Sequence, residues 1–405
     1  MKKIFVMAVL ASQFVTYGME DRNGLWGVFN RELLIAGNID NMQLSQVNRD
    51  RVTSVTFDDG REIPDTQTPN IIDLIPEGAF AEFHNLESIT IPASVRALGK
   101  SCFKNCRNLR TIIFSAGSEI TEIPAEAFAG CEKLESIIIP ASVRTLGESC
   151  FEKCYELGRV DFSSCFQIDA IPTKAFANCG KLEDIAIPAS VRTLGESCFD
   201  NCIRLERVGF STCSQIGVIP KRAFADCGRL KNITIPAGVQ ILDESCFENC
   251  PQLNKVDISN FSQMTEIKSR AFANCGQLKD ITIPTKMRIL GPSCFLNCLS
   301  LHDMTFSSLV PMHIHQSAFN GGHPSWGAVL SAKFCNLLRG AEDSAMGFCS
   351  RMAERFGSFD DKAFDLSRMI EDKINNFFGG FTNRWRRNSL YENLFLEDPE
   401  NIVTP

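Results

Sequence analysis

Ser149-Cys150-Phe151-Glu152-Lys153-Cys154 is the stretch on which the reading of this chain turns, because the chain writes it again and again. Phe preceded by Cys recurs at Phe103, Phe151, Phe199, Phe247 and Phe295, 48 residues apart. Between them Phe preceded by Ala recurs at Phe80, Phe128, Phe176, Phe224, Phe272 and Phe319. The Phe-to-Phe steps alternate between 23 and 25 residues and close on one of 24. A fixed period in this range marks a solenoid in which each repeat is one coil.

Working outward, each Phe is followed by an apolar trace of constant spacing. It begins as Val52-x-x-Val55-x-Phe57, runs through Leu134-x-x-Ile137-x-Ile139 and Leu230-x-x-Ile233-x-Ile235, and ends at Leu301-x-x-Met304-x-Phe306. Its last two positions alternate as one face of a short strand should. Stacked coil on coil, such strands form a parallel sheet with a spacing of about 4.8 Å, so eleven coils make a rod or arc about 50 Å long. In the 23-residue coils the strand stops at Pro92, Pro140, Pro188, Pro236 or Pro284, where the missing N–H forces a turn. Val143 and Leu146 follow as a second apolar pair, then Gly147, which suits a turn of positive φ. Gly99, Gly195 and Gly291 match it, and Asp243 is the exception. The 25-residue coils carry a looser arm, as in Ser163-Ser164-Cys165-Phe166-Gln167-Ile168. The outer surface is therefore expected to show a two-coil corrugation.

The full pattern, Leu-x-x-Ile-x-Ile-Pro-x-x-Val-x-x-Leu-Gly-x-x-Cys-Phe-x-x-Cys-x-x-Leu, resembles the BspA-like class of leucine-rich repeats. The resemblance covers about residues 75 to 325. It implies an α/β leucine-rich repeat solenoid with a parallel β-sheet on the concave side and short turns or helical arms on the convex side. It also implies surface exposure or secretion, binding of proteins or host surfaces, and no catalytic residues. Phe83 and Gly322 depart from the pattern, standing where every coil between them has Cys.

The ends read differently. Lys2-Lys3 followed by the apolar run Ile4 to Ala11 resembles a secretory signal, too short to span a bilayer, with cleavage near Thr16-Tyr17-Gly18. Residues 1–18 are thus expected to be a signal peptide, 19–74 an N-terminal cap with a first degenerate coil, and 75–330 the repeat array. Residues 331–405 are expected to form a helical C-terminal cap or tail, because Phe359, Ala363, Leu366, Ile370, Ile374 and Phe377 keep helical spacing. No later segment is apolar enough to cross a membrane, and a net charge of -7 argues against general nucleic-acid binding.

Eighteen cysteines invite a chemical reading, which their placement weakens. The Cys before Phe alternates with Ala, so that site selects for a small apolar group, which free Cys supplies. Cys three residues after Phe recurs in register, where stacked coils hold Cβ atoms about 4.8 Å apart, wider than a disulfide prefers. Buried thiol ladders are expected, in tension with an oxidising destination; a cytoplasmic location is the alternative. Cys335 and Cys349 lie outside the ladder as the candidate disulfide pair. His313, His315 and His323 cluster near the end of the array without a convincing fourth metal ligand. Arg384-Trp385-Arg386-Arg387 could touch an anionic surface, but reads more simply as a solvated helix face. No Walker loop, Rossmann fingerprint, nucleophile elbow or His-Glu-x-x-His is present. Neither an enzyme nor a cofactor is expected.

The positions that the repeat leaves free lie between the apolar strand residues. The candidate partner-binding set on that face is Arg159, Asp161, Asp184, Arg207, Asn232, Lys255, Asp257 and Asp280. Just before the strands, Glu87, Glu135, Glu183 and Glu206 give way to Lys231 and Lys279, a run from acidic to basic. The expected function is a non-catalytic secreted or cell-envelope scaffold that binds another protein or surface macromolecule through this face. The alternative is an effector whose helical tail carries the activity.

Overall fold

The structure, a computed structural model, describes residues 26–29, 31–35, 47–57, 72–211, 215–258, 262–301, 303–306, 313–315 and 317–319. The expected signal segment, the expected helical tail, Cys335, Cys349, His323 and the Arg384 run lie outside the described residues.

Each coil contributes one long and one short strand. Eleven long strands, from Ser54–Phe57 to Asp303–Phe306, and eleven short ones, from Leu74–Ile75 to His313–Ile314, are described. The long strands pair in parallel from coil to coil, as in Asp184 with Arg207 and Ile187 with Phe210. Their burial alternates as the apolar spacing requires: Ser88 and Thr90 are exposed while Ile89 and Ile91 are buried. The N-terminal edge is closed by a feature the apolar spacing did not announce. β1 (Trp26–Phe29) runs antiparallel to β2 (Glu32–Ile35), and β2 pairs in parallel with β3 (Ser54–Phe57). A hairpin thus occupies the edge that the first coil would otherwise leave open.

The core is a column of phenylalanines. From Phe80 to Phe319 consecutive rings stack with centroids 5.2 to 5.5 Å apart and planes within 11°. The arm that carries each ring is not helical. Among the described residues there is no α-helix, only one 3-10 turn at Arg49–Arg51, so the expected α/β class is corrected to a β-solenoid. The reason is hydrogen bonding. Ser149, Phe151 and Lys153 send their N–H groups to Thr173, Ala175 and Ala177 of the next coil, at 3.0, 2.9 and 2.8 Å. Directing alternate N–H groups along the stack places Ser149 at φ 54° and Lys153 at φ 62°, and residues in the left-handed region end a right-handed helix. The second of these positions is Asn in six coils, with φ between 57° and 64°, since Asn tolerates this region better than most residues.

The same polarity explains the N-terminal departures. The Lys104 carbonyl accepts the Glu82 N–H, whereas the equivalent Ala81 carbonyl takes the Arg49 guanidinium at 3.1 Å, no earlier arm being present among the described residues. Arg49 also lies over the Phe83 ring, 5.7 Å from its centroid.

Cysteine does more than fill space. All fifteen described cysteines are buried free thiols. The Cys three residues after Phe donates its thiol to the Phe carbonyl of the coil before, for example Cys106 to Phe80 at 3.0 Å and Cys154 to Phe128 at 3.3 Å. Coil after coil repeats the contact, down to Cys298 on Phe272 at 3.1 Å. Among the described residues no earlier arm places a Phe carbonyl beneath Phe83, so a thiol there has no acceptor to meet. The Cys before Phe reaches only 3.9 to 4.0 Å from a carbonyl, at the edge of any useful bond, and Ala replaces it freely. Burial pushes the Cys106, Cys202 and Cys298 thiols up to about 12 and others further.

The glycine after the short strand has a different role from the one expected. Gly99, Gly147, Gly195 and Gly291 do not take positive φ. A Cβ on Gly147 would meet the Ala125 nitrogen at 2.2 Å and the Pro124 carbonyl carbon at 2.5 Å. The constraint is backbone approach between coils. At the exceptional Asp243, the carboxylate accepts the Glu244 N–H at 2.7 Å and pairs with Lys268 at 3.2 Å.

Three outcomes follow. Cys154→Ala should cost about 1 kcal/mol more than Cys150→Ala in denaturant unfolding, the worth of the extra hydrogen bond; equal costs would remove the thiol's donor role. Gly147→Ala should cost about 1–3 kcal/mol or more through overpacking, whereas Gly217→Ala, where a Cβ meets nothing within 4 Å, should stay within about 0.5 kcal/mol. With a thiol reagent at mildly alkaline pH, the fifteen buried cysteines should react only after unfolding. Rapid native labelling of any of them, located by peptide mapping, would show that the arms open.

Candidate partner-binding face

The long strands expose two columns of side chains, their first and third positions. The first runs Ser88, Thr111, Ser136, Arg159, Asp184, Arg207, Asn232, Lys255 and Asp280; the third runs Thr90, Ile113, Ile138, Asp161, Ala186, Gly209, Thr234 and Asp257, continuing to Thr282. All eight candidate residues lie in these columns. Arg159, Asp184, Arg207, Asn232, Lys255 and Asp280 are exposed, and Asp161 and Asp257 half-buried.

Stacking brings six of the eight together in pairs. Arg159 lies 3.0 Å from Asp161 on its own strand, Arg207 2.6 Å from Asp184 on the neighbouring strand, and Lys255 2.7 Å from Asp257. Asn232 and Asp280 belong to none of these pairs, although Asp280 stands beside Lys255 in register. The electrostatics follow the contacts. Hydrogen bonds from Ser163, whose backbone N–H is 2.9 Å away, hold the Asp161 carboxyl below the usual range, with Arg159 adding to them. The hydrogen bond to Asp184 raises Arg207, and that to Asp257 raises Lys255. Part of the acidic-to-basic run is neutralised in the same manner: Arg110 pairs with Glu135 at 3.1 Å and Lys231 with Glu206 at 3.1 Å. Solvent screens exposed pairs of this kind, so an incoming charged partner can rearrange them at little cost.

The unspent surface lies elsewhere on the same face. Ile113 is 51% and Ile138 67% exposed, on adjacent strands whose Thr111 and Ser136 pair directly. Ser88 and Thr90 extend this sector, which carries no charge on the face. The signal was present in the sequence: Ile occupies an outward strand position twice in succession and nowhere else in the array. Within the charged sector, beside Asp184 and Arg207, Ala186 and Gly209 pair in register and leave the floor nearly bare.

The remaining concavities are shallow. One of about 340 Å³ is bordered by Arg110, Glu132, Lys133 and Tyr155, and one of about 330 Å³ by Asp243, Glu244, Lys268 and Gly291. Both are open and rimmed by charge, unlike the mostly apolar clefts that hold small molecules. Among the described residues no three His, Cys, Asp or Glu side chains come together to hold a metal. His315 accepts the Ser317 backbone N–H at 3.2 Å, which gives that ring a local task in a turn. No described helix is long and apolar enough to cross a membrane.

Solved structures of leucine-rich repeat proteins are similar to this chain at low identity. A protein from Bacteroides ovatus is 23% identical over 62% of this chain and 80% of its own, with a TM-score of 0.35. The pneumococcal vaccine antigen PcpA is 20% identical over 74% and 72%, with a TM-score of 0.44. A leucine-rich cell surface protein from Faecalibacterium prausnitzii is 21% identical over 76% and 98%, with a TM-score of 0.39. No curated protein matches the chain. The repeat itself is decisive: the BspA type leucine rich repeat region matches in six copies, over residues 50–168, 114–227 and 217–324. With its Phe column, its thiol ladder and the long and short strands of its coils falling within those residues, the chain belongs to the BspA-type leucine-rich repeat family.

Proposed function

We propose that the chain is a non-catalytic scaffold, secreted or held at the cell envelope, that binds a protein or surface macromolecule through its long-strand face. The observation that carries this reading is the exposed Ile113–Ile138 pair, set in a neutral Ser and Thr sector beside a sector of self-paired charges. Two adjacent exposed isoleucines on an otherwise polar sheet supply apolar area for the centre of a contact, and the ion-paired columns supply its polar rim. Arg159, Asp161, Asp184, Arg207, Asn232, Lys255, Asp257 and Asp280 then steer and register the partner rather than anchor it. Repeat solenoids characteristically use extended surfaces of this kind for binding. The buried thiols fit an exported protein, because thiols raised to about 12 and beyond are almost wholly protonated and slow to oxidise.

The test is recovery of surface proteins by the immobilised full chain. Replacing Ile113 and Ile138 together by Asp should weaken capture by on the order of 100-fold. Exchanging Arg207 and Asp184 should change capture by about tenfold or less and make it more salt-dependent. Equal recovery by the wild type and the double isoleucine variant would move the site off this face.

A further inference from the structure

A second apolar surface runs along the edge where each arm turns into the next long strand, one residue after the thiol-donating Cys. From the coil of Cys154 onward, after Arg107 and Glu132 in the two coils before it, this position is Tyr155, Gly180, Ile203, Gly228, Pro251, Gly276 and Leu299. Bulky apolar side chains alternate with glycine, coil by coil. Tyr155, Ile203 and Leu299 are 45, 52 and 66% exposed, and Pro251 is also exposed. With coils about 4.8 Å apart, the knobs stand about 10 Å from one another, each pair separated by a notch. The notches are open: a Cβ on Gly276 would meet nothing within 4 Å, and on Gly228 only the Ile203 carbonyl oxygen at 3.5 Å. Nothing in the coil requires glycine here, since Gly180, Gly228 and Gly276 do not take positive φ.

A ridge of this form is complementary to itself when reversed. We propose that this edge binds a second copy of the chain, antiparallel, about a two-fold axis across the ridge. A two-fold contact presents the same patch on both subunits, so knobs of one copy meet notches of the other only in an offset register. The flanking polar residues select that register. Placing Pro251 at the partner's notch between Ile203 and Pro251 puts Ile203 opposite the notch at Gly276. The same offset brings Arg204 opposite Gln277 and Asn201 opposite Asn274, a donor against an amide oxygen and an amide against an amide. Shifting the register by two coils would set Arg204 against Arg229, a like-charge contact. Asn274 and Asn297 already form part of an amide ladder along this edge, with Asn297 donating to Asn274 and Asn274 to Asn249 at 2.8 and 2.6 Å. The amide side of the border is uncharged from Asn249 to Asn297, and the charges nearest it, Asp226 and Arg229, are already paired with Arg222 at 2.7 Å and Glu206 at 4.0 Å. This surface is separate from the Ile113–Ile138 sector on the sheet face.

The experiment is sedimentation equilibrium of the full chain over a range of concentrations, with three variants. The wild type should pass from 45.0 kDa to twice that mass as concentration rises. Added salt should not weaken the dimer, since the contact is apolar and both copies carry a net charge of -7. Gly276→Glu should raise the dissociation constant by on the order of 100-fold, as a carboxylate pressed against Ile203 loses its water, while leaving the thermal midpoint unchanged. Ile203→Lys should do the same alone. Mixing the Gly276→Glu and Ile203→Lys chains should restore a dimer containing one of each, because the new charges then face each other. Ile113→Asp with Ile138→Asp should leave the mass unchanged, which keeps failure of the partner-binding reading distinct from failure of this one. A wild type that stays monomeric up to about 1 mM would overturn the proposal. So would a dimer indifferent to Gly276→Glu and to Ile203→Lys, or a mixture that fails to re-form.

Discussion

Everything in this molecule depends on the hydrogen bonds that the Phe arm sends to the coil above it. Three N–H groups per arm, as at Ser149, Phe151 and Lys153, leave in one direction, and that polarity fixes both coil spacing and backbone conformation. It draws two residues per arm into the left-handed region, which is why Asn recurs there. It leaves a carbonyl without a partner at the beginning of the stack, where Arg49 takes it. It sets the rings of successive coils 5.2 to 5.5 Å apart, so aromatic stacking and backbone pairing impose the same repeat.

The tight spacing also decides which small residues are interchangeable. Two cysteines in one motif look equivalent in the sequence, yet one donates to a carbonyl at 3.0 to 3.4 Å and the other stands 3.9 Å or more away. Hydrogen bonding weakens steeply over that interval. Alanine can replace the second kind and not the first. Glycine divides in the same way: at Gly147 the neighbouring backbone leaves no room for a Cβ, whereas at Gly276 the space is empty. A glycine with room around it and an ordinary φ owes its place to the surface it shapes.

Charge on a solenoid has to be read across coils. Residues 23 to 25 positions apart become neighbours about 4.8 Å distant, so Asp184 meets Arg207 and Glu206 meets Lys231. A sequence rich in charge at outward positions yields a face that is largely self-neutralised. What remains unsatisfied is apolar and easily overlooked, as at Ile113 and Ile138.

The periodic Phe, the strand spacing and the repeat family were all legible in the sequence, because each coil is a local unit and its neighbours are near-copies of it. Outward and inward strand positions followed from alternation alone, and so did the burial of the thiols. The tertiary structure decided the rest. The arms could not be told from helices by spacing, since nothing in the sequence says that alternate N–H groups leave for the next coil. The role of Gly147, the capping by Arg49 and the hairpin of β1 and β2 depend on contacts between segments that no period relates. The candidate site was legible as a face, but which of its side chains pair and which stay exposed was not, because exposure and ion pairing belong to side chains brought together only when the coils stack.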